Sequence, residues 1–274
     1  MNRIHQLPAL FTCCLLLLSA CKVNPYKATN KEYRRQASQY ASVIGQYPLD
    51  TGVDSVPAAP YWVGTVNFNL RKPNFVIIHH TAQNGCPQTL QTFTLVPSQV
   101  SAHYVICRDG TVHHMLNDYL RAWQAGKSKW GNITDVNSVS VGIELDNNGY
   151  EPFPAAQINS LLHLLTKLKT TYNIPTPNFI GHGDIAPTRK NDPSSLFPWK
   201  ELADNGFGLW YGDTTGVSVP GGFSSLMALR LIGYDVKDSS AAVLAFKRHF
   251  EQDTLRSWGL PEQKVLYSLY REYE

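Results

Sequence analysis

Apolar positions in this chain follow two rhythms, one for strands and one for helices. "NFVIIHHTA" (residues 74–82) is a continuous Val/Ile-rich run that ends in polar residues. That is the pattern of a strand covered on both faces. "SAHYVICRDGTVHHML" (101–116) sets an Asp-Gly turn between two such runs and predicts a β-hairpin. "SVSVGIELDNNG" (138–149) reads as a strand running into a turn, and "NFIGH" (178–182) as a further short strand. Between those two strands, Ile158, Leu161, Leu162, Leu165, Leu168 and Tyr172 form one helical stripe within residues 154–174. Pro154 opens that helix, where its missing N–H costs nothing. Strands alternating with a long amphipathic helix predict an α/β fold.

The flanks read differently. "YGDTTGVSVPGG" (211–222) is linker-like, and three short helical segments follow, at about 224–232, 240–250 and 261–273. Gly233 is placed to cap the first of them. Residues 22–65 are polar, without a sustained period, and read as a tether and lead-in. At the N-terminus, Arg3 precedes the apolar stretch "LPALFTCCLLLLSA" (7–20), the order of a signal peptide. "LLSAC" (17–21) resembles the bacterial lipobox, which implies cleavage before Cys21 and lipidation of that cysteine. Lys22, rather than an aspartate, follows it, and by the same resemblance this implies the outer membrane, with the protein on its periplasmic face. Several acyl chains together anchor a protein stably. The expected division is a signal peptide at 1–20, a lipidated N-terminus and lead-in at 21–65, a catalytic domain at 66–212 and a helical domain at 213–274.

Composition narrows the class. A hydrophobic content of 43% with 16% charged residues reads as globular, and a net charge of +3 is too mild to point to nucleic acid. No uninterrupted apolar run is long enough to span a membrane. Cys13 and Cys14 leave with the signal peptide and Cys21 carries lipid. Cys86 and Cys107 remain, in a compartment that permits a disulfide. Their pairing depends on a Cα separation that sequence does not give. Two cysteines are too few for a cysteine-rich zinc site.

The candidate chemistry is concentrated in "GHGDIAPTRKNDP" (181–193) and at the end of the first strand. The loop offers His182, Asp184 and Asp192, and the strand offers His79 and His80. Alternation sends the two strand histidines to opposite faces, so at most one serves a given pocket. Two histidines and an aspartate suit Zn²⁺, which accepts nitrogen and carboxylate oxygen together. Lys190 could stabilise an oxyanion beside such a metal, and Glu144 could accept a proton from water. Strand-end histidines also occur as hydrogen-bonded rim residues, and no HExxH motif is present.

"FVIIHHTA", "VSAHYVICRDG", "SVGIELDNNG" and "GHGDIAPTRKNDPSSLFPW" occur in an order that resembles the type 2 N-acetylmuramoyl-L-alanine amidases. These are zinc enzymes that share a fold with peptidoglycan recognition proteins. The resemblance implies a central mixed β-sheet flanked by helices, and cleavage of the amide between N-acetylmuramic acid and L-alanine in peptidoglycan or muropeptides. It implies one Zn²⁺ held by His79, His182 and Asp192, with Glu144 as general base and Lys190 at the oxyanion. Asp184 is expected to support His182 by a hydrogen bond. A monomer is expected.

The chain also departs from the family. "AWQAGKSKW" (122–130) has Gln124 where the family usually has histidine. Gln124, Trp123 and Trp130 are expected to contact substrate, with core packing the alternative for the tryptophans. His103 is expected either to line the groove or to be structural. "AFKRHF" (245–250) resembles the core of a small three-helix peptidoglycan-binding module, with a helical stabiliser of the catalytic domain as the alternative. His163 and His249 have no partner that the sequence identifies. The rival reading is a non-catalytic muropeptide-binding module of the same fold. A glycosidase would need two carboxyls at a defined spacing, and a serine hydrolase a G-x-S-x-G elbow.

Overall fold

The computed structural model describes residues 24–46, 70, 72–255 and 257–272. The chain divides into two compact units, residues 1–66 and 67–274. In the first, α1 (Lys27–Ile44) is an 18-residue helix with no buried side chain. The tether expected over 22–65 therefore contains regular structure. No glycine or proline interrupts residues 27–44, and Glu32 pairs with Arg35 (2.8 Å) and Gln36 (3.0 Å) one turn on. Propensity and local pairs favour this helix without the apolar stripe that periodicity detects. Cys21 lies outside the described residues. Among the described residues, no helix is long and apolar enough to cross a membrane.

The second unit is built on β1 (Phe75–His80), β2 (Tyr104–Ile106), β3 (Val112–His114), β4 (Ser140–Leu145) and β5 (Phe179–Gly181). Their order in the sheet is β3-β2-β4-β1-β5. Only β2 and β3 run antiparallel, as the Asp-Gly hairpin predicts, so the sheet is mixed. Helices α2 (Cys86–Thr92), α3 (Ala155–Tyr172), α4 (His182–Ile185) and α5 (Trp199–Asp204) flank it.

Strand alternation splits the sheet into two faces. Val76, Ile78, Tyr104, Ile106, Val141, Ile143 and Leu145 pack on the α3 stripe of Ile158, Leu161, Leu165 and Leu168 in the main core. Phe75, Ile77 and Ile180 belong to a smaller apolar cluster with Ala125, Val136 and Ile185. On this second face β1 ends in His79 and β4 ends near Glu144, and the parallel register sets these two side by side. Cys86 and Cys107 form a disulfide (Cα–Cα 5.4 Å), which ties the start of α2 to the end of β2.

The C-terminal segment forms α6 (Ser225–Ile232), α7 (Ser239–Phe250) and α8 (Leu260–Tyr270). Ser224 and Asp238 cap the first two by accepting the N–H groups of Met227 and Ala241. Leu229, Phe246, Leu266 and Leu269 form the centre of a core of their own. Trp130 and Trp210, from the sheet-bearing part, pack against that core, and α7 lies on α4 and α5. Residues 67–274 thus make one compact unit.

Candidate metal centre

Three elements bring the candidate ligands together. β1 delivers His79, α4 begins with His182, and the loop beyond α4 returns with Asp192. One ligand atom from each lies within 4.8 Å of the others, and all three residues are buried. Asp192 Oδ2 is 3.1 Å from His79 Nδ1 and 3.0 Å from His182 Nδ1. Gly183 allows this closure: its N–H donates to the Asp192 carbonyl at 2.6 Å, and a Cβ there would lie 3.0 Å from the Arg248 guanidinium.

The hydrogen bonds behind the histidines fix their tautomers. Ser140 Oγ donates to the Val136 carbonyl (2.7 Å), so it accepts from the Gln124 amide nitrogen (2.8 Å). That turns the Gln124 amide oxygen to His79 Nε2 at 2.6 Å, where it can only accept. His79 therefore carries hydrogen on Nε2. His182 Nε2 faces the Ala125 carbonyl at 3.2 Å and carries hydrogen for the same reason. In the neutral form, each ring then presents its Nδ1 lone pair to the lone pairs of Asp192. Lone pairs set against one another in a buried site call for a cation between them. Two imidazoles and a carboxylate are a donor set that zinc accepts, with a position left open for water.

The electrostatics agree. Burial favours the neutral carboxyl, but the hydrogen bonds that His182 and His79 donate when a proton takes the place of a cation hold Asp192 well below the usual carboxylate range. Burial and the charge of His79 push His182 down to about 4. Glu144 approaches His79 Nδ1 at 3.9 Å. Burial, then the charge of Asp192, raises Glu144 to about 7 against the opposing pull of His79 and Lys190. Its Oε2 is buried without a hydrogen-bond partner.

These residues line a cavity of about 340 Å³, with Trp123, Gln124 and Lys190 on its walls and α2 contributing Thr89 and Thr92. Gln124 reaches His79 over Gly142, where a Cβ would come within 2.5 Å of its side chain. Its amide is committed to His79 and Ser140 rather than held out to a ligand. Trp123 is half exposed in the cavity wall.

The other expected residues sit elsewhere. His103 is fully buried: its Nδ1 accepts from the Gly142 N–H, and its Nε2 meets the Leu120 carbonyl. It serves the structural alternative. Trp130 meets Tyr234 edge to face (5.0 Å) and packs on the helical core, the packing alternative. His80, at the end of β1, borders the cavity but turns its Nδ1 to accept from the Ser194 N–H. Asp184 does not reach the His182 ring. Its oxygens accept from the Gly181 N–H, the Tyr234 hydroxyl and His249 Nδ1.

Residues 69–195 match the N-acetylmuramoyl-L-alanine amidase family. N-acetylmuramoyl-L-alanine amidase AmiD of Escherichia coli (strain K12) is 34% identical over 206 residues, which span 64% of this chain and 74% of AmiD. The chain belongs to the N-acetylmuramoyl-L-alanine amidase family. Within that family, 1,6-anhydro-N-acetylmuramyl-L-alanine amidase AmpD of Enterobacter cloacae is 38% identical over 48% of this chain and 79% of its own length. The structure of AmiD in complex with its substrate anhydro-N-acetylmuramic acid-L-Ala-D-gamma-Glu-L-Lys superposes with a TM-score of 0.67 at 29% identity. That match covers 77% of this chain and 93% of the AmiD chain. AmpDh3 of Pseudomonas aeruginosa gives 0.66 at 26% identity, over 83% of this chain and 99% of its own. The mixed sheet with flanking helices is thus the fold of this amidase family.

Sequence reasoning did not anticipate that Tyr234 and His249 reach the turn of this amidase that carries His182. They lie 50 and 65 residues from Asp184, and no local pattern marks them.

Proposed function

We propose that this chain is a zinc-dependent amidase that hydrolyses the bond between N-acetylmuramic acid and L-alanine in peptidoglycan or muropeptides. The observation that carries the reading is the convergence of two Nδ1 lone pairs and the Asp192 carboxylate beside a buried, unpaired Glu144 oxygen. His79, His182 and Asp192 would hold the metal, with Gln124 and the Ala125 carbonyl orienting the two rings. Bound there, zinc supplies a Lewis acid and lowers the pKa of a bound water towards about 7. Glu144 would accept a proton on a carboxylate oxygen from the water whose oxygen bonds the amide carbon, and return it to the amine of L-alanine as the C–N bond breaks. Lys190 faces the developing carbonyl oxyanion with its positive charge. Trp123 offers a flat apolar surface to the substrate.

The purified chain in detergent, incubated with muropeptides, is expected to release a stem peptide that begins with L-alanine. Mass spectrometry should show that release stop with a chelator and return with Zn²⁺. A folded, zinc-loaded protein that binds muropeptides and leaves them intact would replace this reading with the binding-module one.

The same reading places the protein at the outer membrane, facing the periplasm, through lipid on Cys21. The support is "LLSAC" followed by Lys22. Cys21→Ser is expected to abolish incorporation of labelled palmitate and to move the protein out of the membrane fraction. Unchanged membrane fractionation of that variant would remove the anchor from the proposal.

A further inference from the structure

The best-connected buried acid near the cavity is one with no part in the proposed reaction. Asp184 is 3% exposed, and both its oxygens are engaged. Oδ2 accepts from the Gly181 N–H at 2.7 Å and from His249 Nδ1 at 2.7 Å, and Oδ1 accepts from the Tyr234 hydroxyl at 2.9 Å. The first bond is local and closes the turn that begins α4. The other two come from the C-terminal helical segment, one from α7 and one from the loop between α6 and α7.

The donors are themselves held. The His249 ring stacks on Trp199 (3.8 Å between centroids, 11° between planes), and Tyr234 packs against Trp130. Arg248, beside His249, lies against Gly183, whose N–H holds the Asp192 carbonyl. The backbone from Gly181 to Asp184, which carries His182 and grips Asp192, is thus fastened from below by side chains of the helical segment. Charge-assisted bonds to a buried carboxylate are strong, and losing one leaves that carboxylate under-solvated. Metal–ligand distances in a sound site fall within about 0.2 Å of their usual values, so the rigidity of this turn bears on ion affinity.

We infer that the C-terminal helical segment is a positioning element of the metal centre: Tyr234 and His249, acting through Asp184, hold in register the turn that carries His182 and Asp192. The inference rests on the reading of His79, His182 and Asp192 as zinc ligands. It gives the helical segment a task inside the catalytic unit, whether or not that segment binds polymer.

The test is zinc affinity, measured on the full-length chain by competition with a chromogenic chelator. His249→Leu removes the donor and is expected to weaken zinc binding by about 10- to 100-fold. His249→Asn loses the same ring stack but keeps an N–H donor at the Nδ1 position, and should stay close to the parent. Tyr234→Phe deletes one hydroxyl, leaves the ring on Trp130, and should weaken binding by a smaller factor. Leu266→Ala opens the helical core away from Asp184. It should lower the melting temperature without moving zinc affinity. Parent-like affinity in folded His249→Leu or Tyr234→Phe would overturn the inference. So would a loss in Leu266→Ala equal to that in His249→Leu, because general loosening would then explain the effect. If those variants match the parent while Asp192→Ala loses zinc, only this inference fails. If the parent binds no zinc, the ligand reading fails and takes this inference with it.

Discussion

Asp192→Ala is expected to strip zinc from the protein and to leave muropeptides uncut. The argument is geometric. Asp192 Oδ2 is the single oxygen that both histidines face, at 3.1 and 3.0 Å. Removing it leaves two imidazoles and no charge, where a catalytic zinc takes three protein ligands. The loss in affinity should exceed the ~100-fold that can follow removal of a group that only orients a ligand. Asp192→Asn keeps the volume and separates charge from size, and it should fail in the same direction. Metal content by mass spectrometry and chelator competition are the measurements. A folded Asp192→Ala protein holding one zinc per chain at parental affinity would disprove the ligand assignment.

Glu144→Gln should give a different signature: zinc retained, substrate bound, turnover lost. Glutamine keeps the shape of the side chain but has no carboxylate to take the proton. A well-placed general base contributes about 10²- to 10⁴-fold, and kcat should fall by that factor with KM little changed. The carboxylate sits 3.9 Å from His79 Nδ1 with one oxygen unpartnered, so the substitution breaks no hydrogen bond at that atom. Stability should therefore change little. A variant that turns over near the parental rate would assign the proton transfer elsewhere.

What the sequence disclosed follows from the physics of burial. β1 and β4 were legible because they lie between layers and need continuous apolar runs. α3 was legible because one of its faces covers the sheet. α1 was not, since it buries nothing and its stability is local. The short helices α2, α4 and α5 carry too few turns to display a period. At the site, ligand types in a recognisable loop could be read directly, whereas the direction of a side chain could not. Gln124 reads equally well as a hydrogen-bonder to substrate or to protein, and only the packing over Gly142 commits it to His79. His103 carries the right chemistry, but its ring nitrogens are taken up by the Gly142 N–H and the Leu120 carbonyl. Lys247, Arg248 and His249 are three consecutive basic residues, all buried in α7, against any expectation from polarity. Lys247 is neutralised by Asp253, Glu251 and Glu262, and His249 is taken up by Asp184. Such pairings join distant parts of the chain and leave no periodic trace.

His79 and Asp192, which meet in the candidate metal centre, stand 113 residues apart in sequence. His79 is made early, on a strand whose sheet partners β4 and β5 are synthesised later. The set of candidate ligands is complete only when β5 has docked and the following loop has doubled back on β1. The bonds from Tyr234 and His249 come later still. The candidate centre is therefore held by segments spread from residue 79 to residue 249, and no short stretch of the chain could build it alone.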